Sequence, residues 1–362
     1  MYLYYVSPVA IVVFIVLIFT CVKISYSKKK AFNMKYDMCD FYPTEVGTNS
    51  GVLPNMATLL LITESQLNRQ EIIGSGAFGT VYKGIWQPNI DAIDKSSTFL
   101  KRNLSKLSQD TSIKLNVAVK ILTDISDPTN NRELLEEAKV MASVDHPCCL
   151  RILAVCLTAH PKLITQFMPL GSLLEFVQRN RALINNITLL VWAKQIACGM
   201  EYLESKGIIH CDLAARNVLI QSPRQVKITD FGLAKMLDYS QQQYQFKGGR
   251  MPIKWLAIEC IRNRLFSSKS DVWSFGVTLW EMFTFGEKPF VEIKAYDILE
   301  FLEKGQRLNQ PKICSIDAYM ILVQCWLIDP DARPSFTELR KTFEMMETNP
   351  KSLFINTERE FT

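Results

Sequence analysis

Residues 208–232 read IIHCDLAARNVLIQSPRQVKITDFG, and the fold is decided there. Two short apolar runs, Val218-Leu219-Ile220 and Val226-Lys227-Ile228, flank a polar segment, Gln221 to Gln225, that contains Pro223. Two such runs joined by a short proline-bearing turn predict a β-hairpin. Asp212 and Asn217 lie just before its first strand and Asp230 just after its second, so polar side chains are delivered at the two ends of one rigid unit. That arrangement suits chemistry in which one carboxylate meets a hydroxyl while another holds a metal. Phosphoryl transfer has this need: a group to accept or orient the attacking hydroxyl, and divalent ions to neutralise the phosphates. Asp212 suits the first role, Asn217 a metal ligand, and Asp230 the main Mg2+ ligand, because Mg2+ favours oxygen donors and few protein contacts.

The 362 residues are enough for one large domain or two ordinary ones. The chain is 48% hydrophobic and 21% charged, a globular composition, and its net charge of +5 comes with no long basic tract, which argues against nucleic acid as a partner. Ten cysteines form no CxxC pair and no regular framework, and Cys148 and Cys149 are adjacent, so reduced thiols in a cytosolic domain are expected.

Residues 1–22 carry no charge, Val9 to Val22 is dominated by β-branched residues, Leu and Phe, and Lys23 and Lys28-Lys29-Lys30 follow. About twenty apolar residues span a bilayer as a helix. A transmembrane helix over residues 8–24 is expected, with Tyr2, Tyr4 and Tyr5 at one interface and the lysines on the cytoplasmic side. A cleaved signal peptide fits less well, since no positive n-region or small-residue cleavage site is clear. Residues 1–7 are then a short extracellular or luminal end, and residues 25–66 a juxtamembrane segment whose lysines can meet anionic membrane lipid. The apolar run Met56 to Ile62 packs on the folded domain's own back or binds a partner. The expected location is a single-pass protein of the plasma membrane, either a receptor lacking its ectodomain or a fragment, with residues 347–362 as a short, tyrosine-free tail.

Residues 71–82, EIIGSGAFGTVY, read as strand, tight glycine turn, strand. A dinucleotide-binding fingerprint would open a helix, whereas Val81-Tyr82-Lys83 and Ile85-Trp86 continue as alternating strand. A glycine hairpin over phosphates fits better, since a missing Cβ lets backbone N–H groups come close. Residues 131–143 place Leu134, Leu135, Ala138, Met141 and Ala142 on one face and predict a helix, and residues 189–204 predict another. Residues 90–116, with Lys95, Lys101, Arg102, Lys106 and Lys114 among serines, predict a solvated surface loop of a length that costs little entropy.

The run His210-Cys211-Asp212-Leu213-Ala214-Ala215-Arg216-Asn217 and the triplet Asp230-Phe231-Gly232 resemble the catalytic loop and metal-binding motif of protein kinases. The Ala214-Ala215-Arg216 spacing resembles the tyrosine-specific branch. Longer runs at 74–84, 140–145, 163–166, 230–235 and 316–326 are similar to the epidermal growth factor receptor family. The resemblance implies an α+β, two-lobed kinase fold over residues 67–346. Its N-lobe, 67–167, is β-rich with one key helix, and its C-lobe, 168–346, is helical, with ATP and Mg2+ in the cleft and protein tyrosine as substrate.

It also implies roles for residues. Lys120, in Val117-Ala118-Val119-Lys120, would hold the α- and β-phosphates, with Glu137 rather than its neighbour Glu136 as ion-pair partner. Asp212 would orient the hydroxyl and Arg216 would support the substrate side. The nucleotide-binding set would be Ile73, Gly74, Ser75, Gly76, Ala77, Phe78, Gly79, Thr80 and Val81 from the glycine loop, Ala118 and Lys120 from the following strand, Thr165, Gln166 and Met168 from the connection between lobes, and Asn217 and Asp230. Asn217 and Asp230 would carry Mg2+. Thr165 would guard an open rear pocket, His210 would be structural, Asp271 would brace the catalytic loop, and Glu259 would pair with Arg333. Tyr244 would lie on an activation loop over residues 233–250, followed by a substrate platform at Pro252-Ile253-Lys254-Trp255.

The same resemblance implies activation by an asymmetric homo- or heterodimer of family kinases. Ile316, Val323 and Leu327, at spacings of one helical stripe, fit the donor face, and Leu59 and Leu61 fit the receiving face. Four departures from the family matter: residues 90–116 form an insertion where it has a short loop, the tail is short, and Cys211 and Ser172 are unusual at their positions. Cys211 stands where an Arg usually precedes the catalytic Asp, so Tyr244 phosphorylation is expected to be dispensable, and the loop's rigidity comes into question. Ser172 stands where some relatives carry a reactive Cys. The rival reading, favoured by Cys211 and the short tail, is a pseudokinase that activates a partner kinase allosterically.

Overall fold

The computed structural model describes residues 59–76, 79–88, 114–121, 128–158, 160–237, 241–249 and 251–348. The predicted transmembrane helix, most of the juxtamembrane segment and of the insertion, Ala77 and Phe78, and the tail beyond residue 348 lie outside them. Among the described residues no helix is long and apolar enough to cross a membrane.

The first lobe is a six-stranded sheet. Its strands are β1 (Leu60–Leu61), β2 (Leu67–Gly76), β3 (Gly79–Trp86), β4 (Leu115–Ile121), β5 (Ile152–Cys156) and β6 (Lys162–Gln166), in the order β1-β5-β6-β4-β3-β2. All neighbours are antiparallel except β1, which runs parallel to β5 through Leu60↔Ala154 and Leu61↔Val155. Alternation sends Ile62, Trp86, Val117, Val119, Ala154, Cys156 and Ile164 into one buried cluster, with Leu60, Leu67 and Tyr82 packed on its margin. Helix α1 (Pro128–Ser143) follows β4 and turns Leu134, Ala138 and Met141 inward.

Three boundaries differ from the sequence reading. Leu60 and Leu61, assigned to the juxtamembrane segment, are sheet residues, because backbone pairing rather than side-chain pattern recruits them. Leu115 and Asn116, assigned to the insertion, open β4 opposite Trp86 and Ile85. Helix α1 begins three residues early, at Pro128, a residue suited to a helix's first turn because its missing N–H would have no helical partner there.

The second lobe is mostly helical: α2 (Leu173–Arg179), α3 (Asn186–Ser205), α4 (Ile258–Asn263), α5 (Ser268–Phe283), α6 (Ile298–Glu303), α7 (Ile316–Cys325) and α8 (Phe336–Thr348). Helix α5 is the central element. Ser267 caps it by accepting the Ser270 N–H, and every residue from Ser270 to Phe283 is buried, including Asp271, Ser274, Thr278 and Glu281. An acid wholly inside a helix core is costly unless its oxygens are bonded, and the partners of Asp271 and Glu281 are the backbone of the site described next. Glu259 in α4 makes a bidentate pair with buried Arg333, at 2.6 and 2.8 Å, as the family resemblance implies. Removing one partner of such a pair costs about 3–5 kcal/mol.

Helix α7 stops at Cys325, where the Trp326 N–H turns back to Val323 O and Gln324 O. Leu327 therefore lies past the helix end rather than on its stripe. Val323 is half-buried, while Ile316 and Met320 are exposed.

Candidate active site

The predicted hairpin forms as β8 (Val218–Ser222) and β9 (Gln225–Ile228), with Val218↔Ile228 and Ile220↔Val226 in register. It joins the lobes. Leu150 N–H donates to Ile228 O at 2.7 Å, Ile228 N–H to Cys148 O at 2.8 Å, and Ile220 N–H to Gly171 O at 2.9 Å. At its mouth the Thr229 N–H donates to Asn217 O at 2.9 Å, which fixes Asp230 relative to the loop before β8.

That loop, residues 210–217, is held from behind by α5 and follows the short strand β7 (Ile208–Ile209). Asp271 accepts the His210 N–H at 2.7 Å on one oxygen and the Cys211 N–H at 3.0 Å on the other. Glu281 accepts the Ala215 N–H at 2.9 Å and the Trp255 indole N–H at 3.0 Å. Burial pushes both acids up to about 7, against the pull of those donors. Asp271 thus fulfils the bracing role expected of it. Glu281 escaped the sequence reading, although one acid within the apolar run Phe275 to Phe283 was a usable signal.

The positive φ of Cys211 (65°) and of Asp230 (63°) places both in the left-handed region, uncommon for non-glycine residues and frequent at functional sites. The Cys211 thiol is buried, points at Ile209 O at 3.8 Å, and is pushed well above the ordinary thiol range by burial. The strained backbone at Cys211 is gripped by Asp271.

His210 is fully buried. Its Nδ1 accepts the Asp212 N–H at 3.3 Å, so the neutral ring carries its proton on Nε2, 3.0 Å from Thr229 O. Burial lowers it to about 4, which keeps it neutral and structural, as expected.

Asp212 sits in this frame. One oxygen bonds Arg216, and the other accepts from Asn217 Nδ2 at 2.8 Å; the same Nδ2 also bonds Asp212 O at 2.7 Å. Arg216 lies 4.7 Å from the Trp255 ring centre, stacked by cation–π attraction. Burial raises Asp212 to about 6, opposed by Arg216. A carboxylate poised there is ionised at neutral pH yet close enough to its own pKa to take up a proton.

Lys120 Nζ reaches both oxygens of Glu137 at 2.8 Å and Asp230 Oδ1 at 3.3 Å. Burial opposes the lysine's charge, but the two carboxylates outweigh it and hold Lys120 above its usual range. Burial also pushes Glu137 upward against the pull of Lys120, and two short bonds hold the pair as ions. Glu136 instead meets Lys139 on the surface, so the choice between the two glutamates is settled.

Above this pair, β2 and β3 close through Gly74↔Val81, Ser75↔Thr80 and Gly76↔Gly79. Gly79 has φ 122°, which favours glycine, and a Cβ added at Gly76 would meet no atom within 4 Å. Among the described residues, nothing fills the space beside Gly76. Ala118 pairs with Thr165 across β4 and β6, and both are part of the wall beside Lys120, while Met168 is buried just after β6. Gln166 N–H donates to Arg151 O at 3.4 Å and Met168 O accepts from Gly171 N at 3.2 Å. Ser172 caps α2 by accepting the Glu175 N–H at 3.3 Å.

The donor set suits Mg2+. Asn217 uses its amide nitrogen on Asp212, which leaves its amide oxygen for a cation, and Asp230 is a partly exposed carboxylate beside it. Two protein oxygens are a usual complement for this ion.

Comparison with known proteins follows the same lines. The family profile described as protein tyrosine and serine/threonine kinase matches residues 67–343. The chain is 49% identical over 301 residues to the epidermal growth factor receptor of Apis mellifera, an overlap of 83% of this chain and 22% of the relative. It is 46% identical over 333 residues to the receptor tyrosine-protein kinase erbB-4 of Homo sapiens, covering 91% and 24%. To the receptor tyrosine-protein kinase erbB-2 of Rattus norvegicus it is 43% identical over 352 residues, covering 96% and 26%. The chain spans about a quarter of the length of these curated relatives.

Proposed function

Because the chain belongs to the protein tyrosine and serine/threonine kinase family, we propose that it transfers the γ-phosphoryl group of ATP to tyrosine side chains of proteins. The observation that carries this reading is the convergence of Lys120, Glu137 and Asp230 within 3.3 Å, beside an Asp212 tied to Asn217. The Ala214-Ala215-Arg216 run and the similarity to receptor tyrosine kinases support tyrosine over serine or threonine.

In this reading Asp212 orients the substrate hydroxyl and accepts its proton. Arg216, fixed between Asp212 and Trp255, shapes the tyrosine side of the site. Glu137 positions Lys120, whose ammonium meets the α- and β-phosphates beneath the glycine hairpin. The carbonyl of Gln166 and the amide of Met168 face the adenine edge, and Thr165 stands at the rear. Asp230 and Asn217 would hold Mg2+, which would neutralise phosphate charge, and such electrostatic stabilisation is commonly the greatest single contribution to an enzyme's rate.

The proposed setting is a membrane receptor activated when one kinase's C-lobe packs on another's N-lobe. Ile316, half-buried Val323 and Leu327 form the donor face, and Leu59 and Leu61 the receiving face. Of the two features that favour a pseudokinase, Cys211 is the one within the described residues, and it is buried and bonded within an intact catalytic frame. The deciding assay is the full chain on vesicles with Mg-ATP and matched tyrosine, serine and threonine peptides. Tyrosine phosphorylation is expected, with Asp212→Asn lower by roughly 100- to 10,000-fold. Activity that survives Asp212→Asn at the wild-type rate rejects the proposal.

A further inference from the structure

The connection between α1 and β5 carries a thiol cluster that the catalytic site does not use. On one side it is pinned to β9: Lys227 Nζ and Gln225 Nε2 donate to Pro147 O at 2.8 and 3.2 Å, and Cys149 bridges to Ile228. On the other side it lies against α3. A Cβ added at Gly199 would fall 3.1 Å from Cys148 O and 3.3 Å from Cys148 Cβ, so loop and helix meet at their backbones. Cys198 is the neighbouring residue on α3, and its thiol faces the same loop, where His146 contacts both Cys198 Sγ and the Cys148 backbone.

His146 completes the cluster. Its ring stacks on Tyr202, centroids 4.8 Å apart and planes 17° from parallel. Its Nδ1 accepts the Cys148 N–H at 3.2 Å, so the neutral ring carries its proton on Nε2, and Nε2 lies 3.7 Å from Cys198 Sγ. A hydrogen-bond donor aimed at sulfur favours the thiolate, the reactive form of cysteine. The Cys148 thiol first, and His146 next, hold Cys198 down to about 5 against its burial, while Cys148 itself is pushed well up. The other charged groups facing the cluster are Glu201 on α3, which raises Cys198, its ion-pair partner Arg340 from α8, and Lys227 from β9. Cys198 is partly exposed and Cys148 is buried.

We infer that Cys198 and Cys148 are a reversible oxidation site, with Cys198 as the attacking thiolate, Cys148 as the resolving thiol and His146 as the positioning residue. The oxidant is a hydroperoxide. The Cys198 thiolate attacks its O–O bond and takes one oxygen as a sulfenic acid, and the other oxygen leaves as an alcohol, or as water from hydrogen peroxide, after protonation. Sulfur is oxidised by two electrons and the peroxide reduced by two. Cys148 then attacks the Cys198 sulfur, the S–S bond forms, and the sulfenic oxygen leaves as water with the Cys148 proton. A thiol reductant returns both thiols. The bridge ties the connection behind α1, the helix that carries Glu137, covalently to α3.

The test is equimolar hydrogen peroxide on the reduced full chain, alkylation of residual thiols, and peptide mapping with fragmentation that separates Cys148 from Cys149. A Cys148–Cys198 bridge is expected as the first product, cleared by dithiothreitol. In Cys148→Ser, Cys198 is expected to be trapped as a dimedone adduct. In His146→Phe, which keeps a ring against Tyr202 but removes the donor, Cys198 oxidation is expected to slow severalfold while Cys156 is unaffected. The wild-type map stands without either variant. First oxidation at another cysteine, oxidation of Cys198 with no bridge to Cys148, or an unchanged rate in His146→Phe would each overturn the inference.

Discussion

Asp212 shows how one side chain is tuned by what surrounds it. Burial raises it to about 6, and Arg216 and Asn217 limit the rise. Catalysis needs the ionised form, so kcat should hold steady above that value and fall by about tenfold per pH unit as pH drops below it. Asp271 and Glu281 titrate nearby, at about 7, but they face the backbone rather than the substrate side. A kcat profile against pH with a tyrosine peptide checks this, and a flat profile down to pH 5 speaks against it. At this scale the sequence was informative where a motif names a residue and silent where only proximity does. Lys120 and Asp230 could be picked by motif and order along the chain, and Glu137 over Glu136 only by the family resemblance. Glu281 could not, because its role depends on meeting Ala215 and Trp255 in space. His146, Cys148 and Cys198 were invisible as a cluster for the same reason.

Among the elements, hairpin β8–β9 and helix α1 were legible because their apolar periods are strong. Strand β1 was not, since two residues carry no period and their membership rests on pairing with β5. The end of α7 was misjudged because spacing continues through Leu327 after the backbone has left the helix. In the second lobe, the short strand β10 (Lys235–Met236) pairs with β7, and β11 (Tyr244–Gln245) pairs with β12 (Leu265–Phe266). Tyr244 is thus held without a phosphate, with Lys235 Nζ 5.6 Å from its ring and Phe246 packed edge-on. Buried Cys211 offers no cation to a phosphate there. Tyr244→Phe should therefore keep kcat on vesicles near the unsubstituted value, and loss of activity in that variant would show that phosphorylation is required.

For the molecule as a whole, the proposed dimer depends on apolar residues left at the surface. Ile316 is 71% and Leu61 65% exposed, on the helical lobe and the sheet respectively. If these faces meet, Ile316→Arg should abolish the rise in activity with surface density on vesicles. Mixing it with Asp212→Asn, inactive but with its donor face intact, should restore that rise. A normal density response in Ile316→Arg would remove Ile316 from the interface.

Strand β1 reaches beyond its two residues. It covers the outer edge of β5, the Ile62 N–H continues the seam to Val155 O at 3.0 Å, and Glu64 clasps buried Lys162 at 3.0 Å. A shortened polypeptide starting at Leu67, where the family profile begins, would bare that rim and the hollow left by Ile62. Naked rims of this sort recruit one another, so where the gene is cut for expression decides whether the product is a dispersed enzyme or a precipitate.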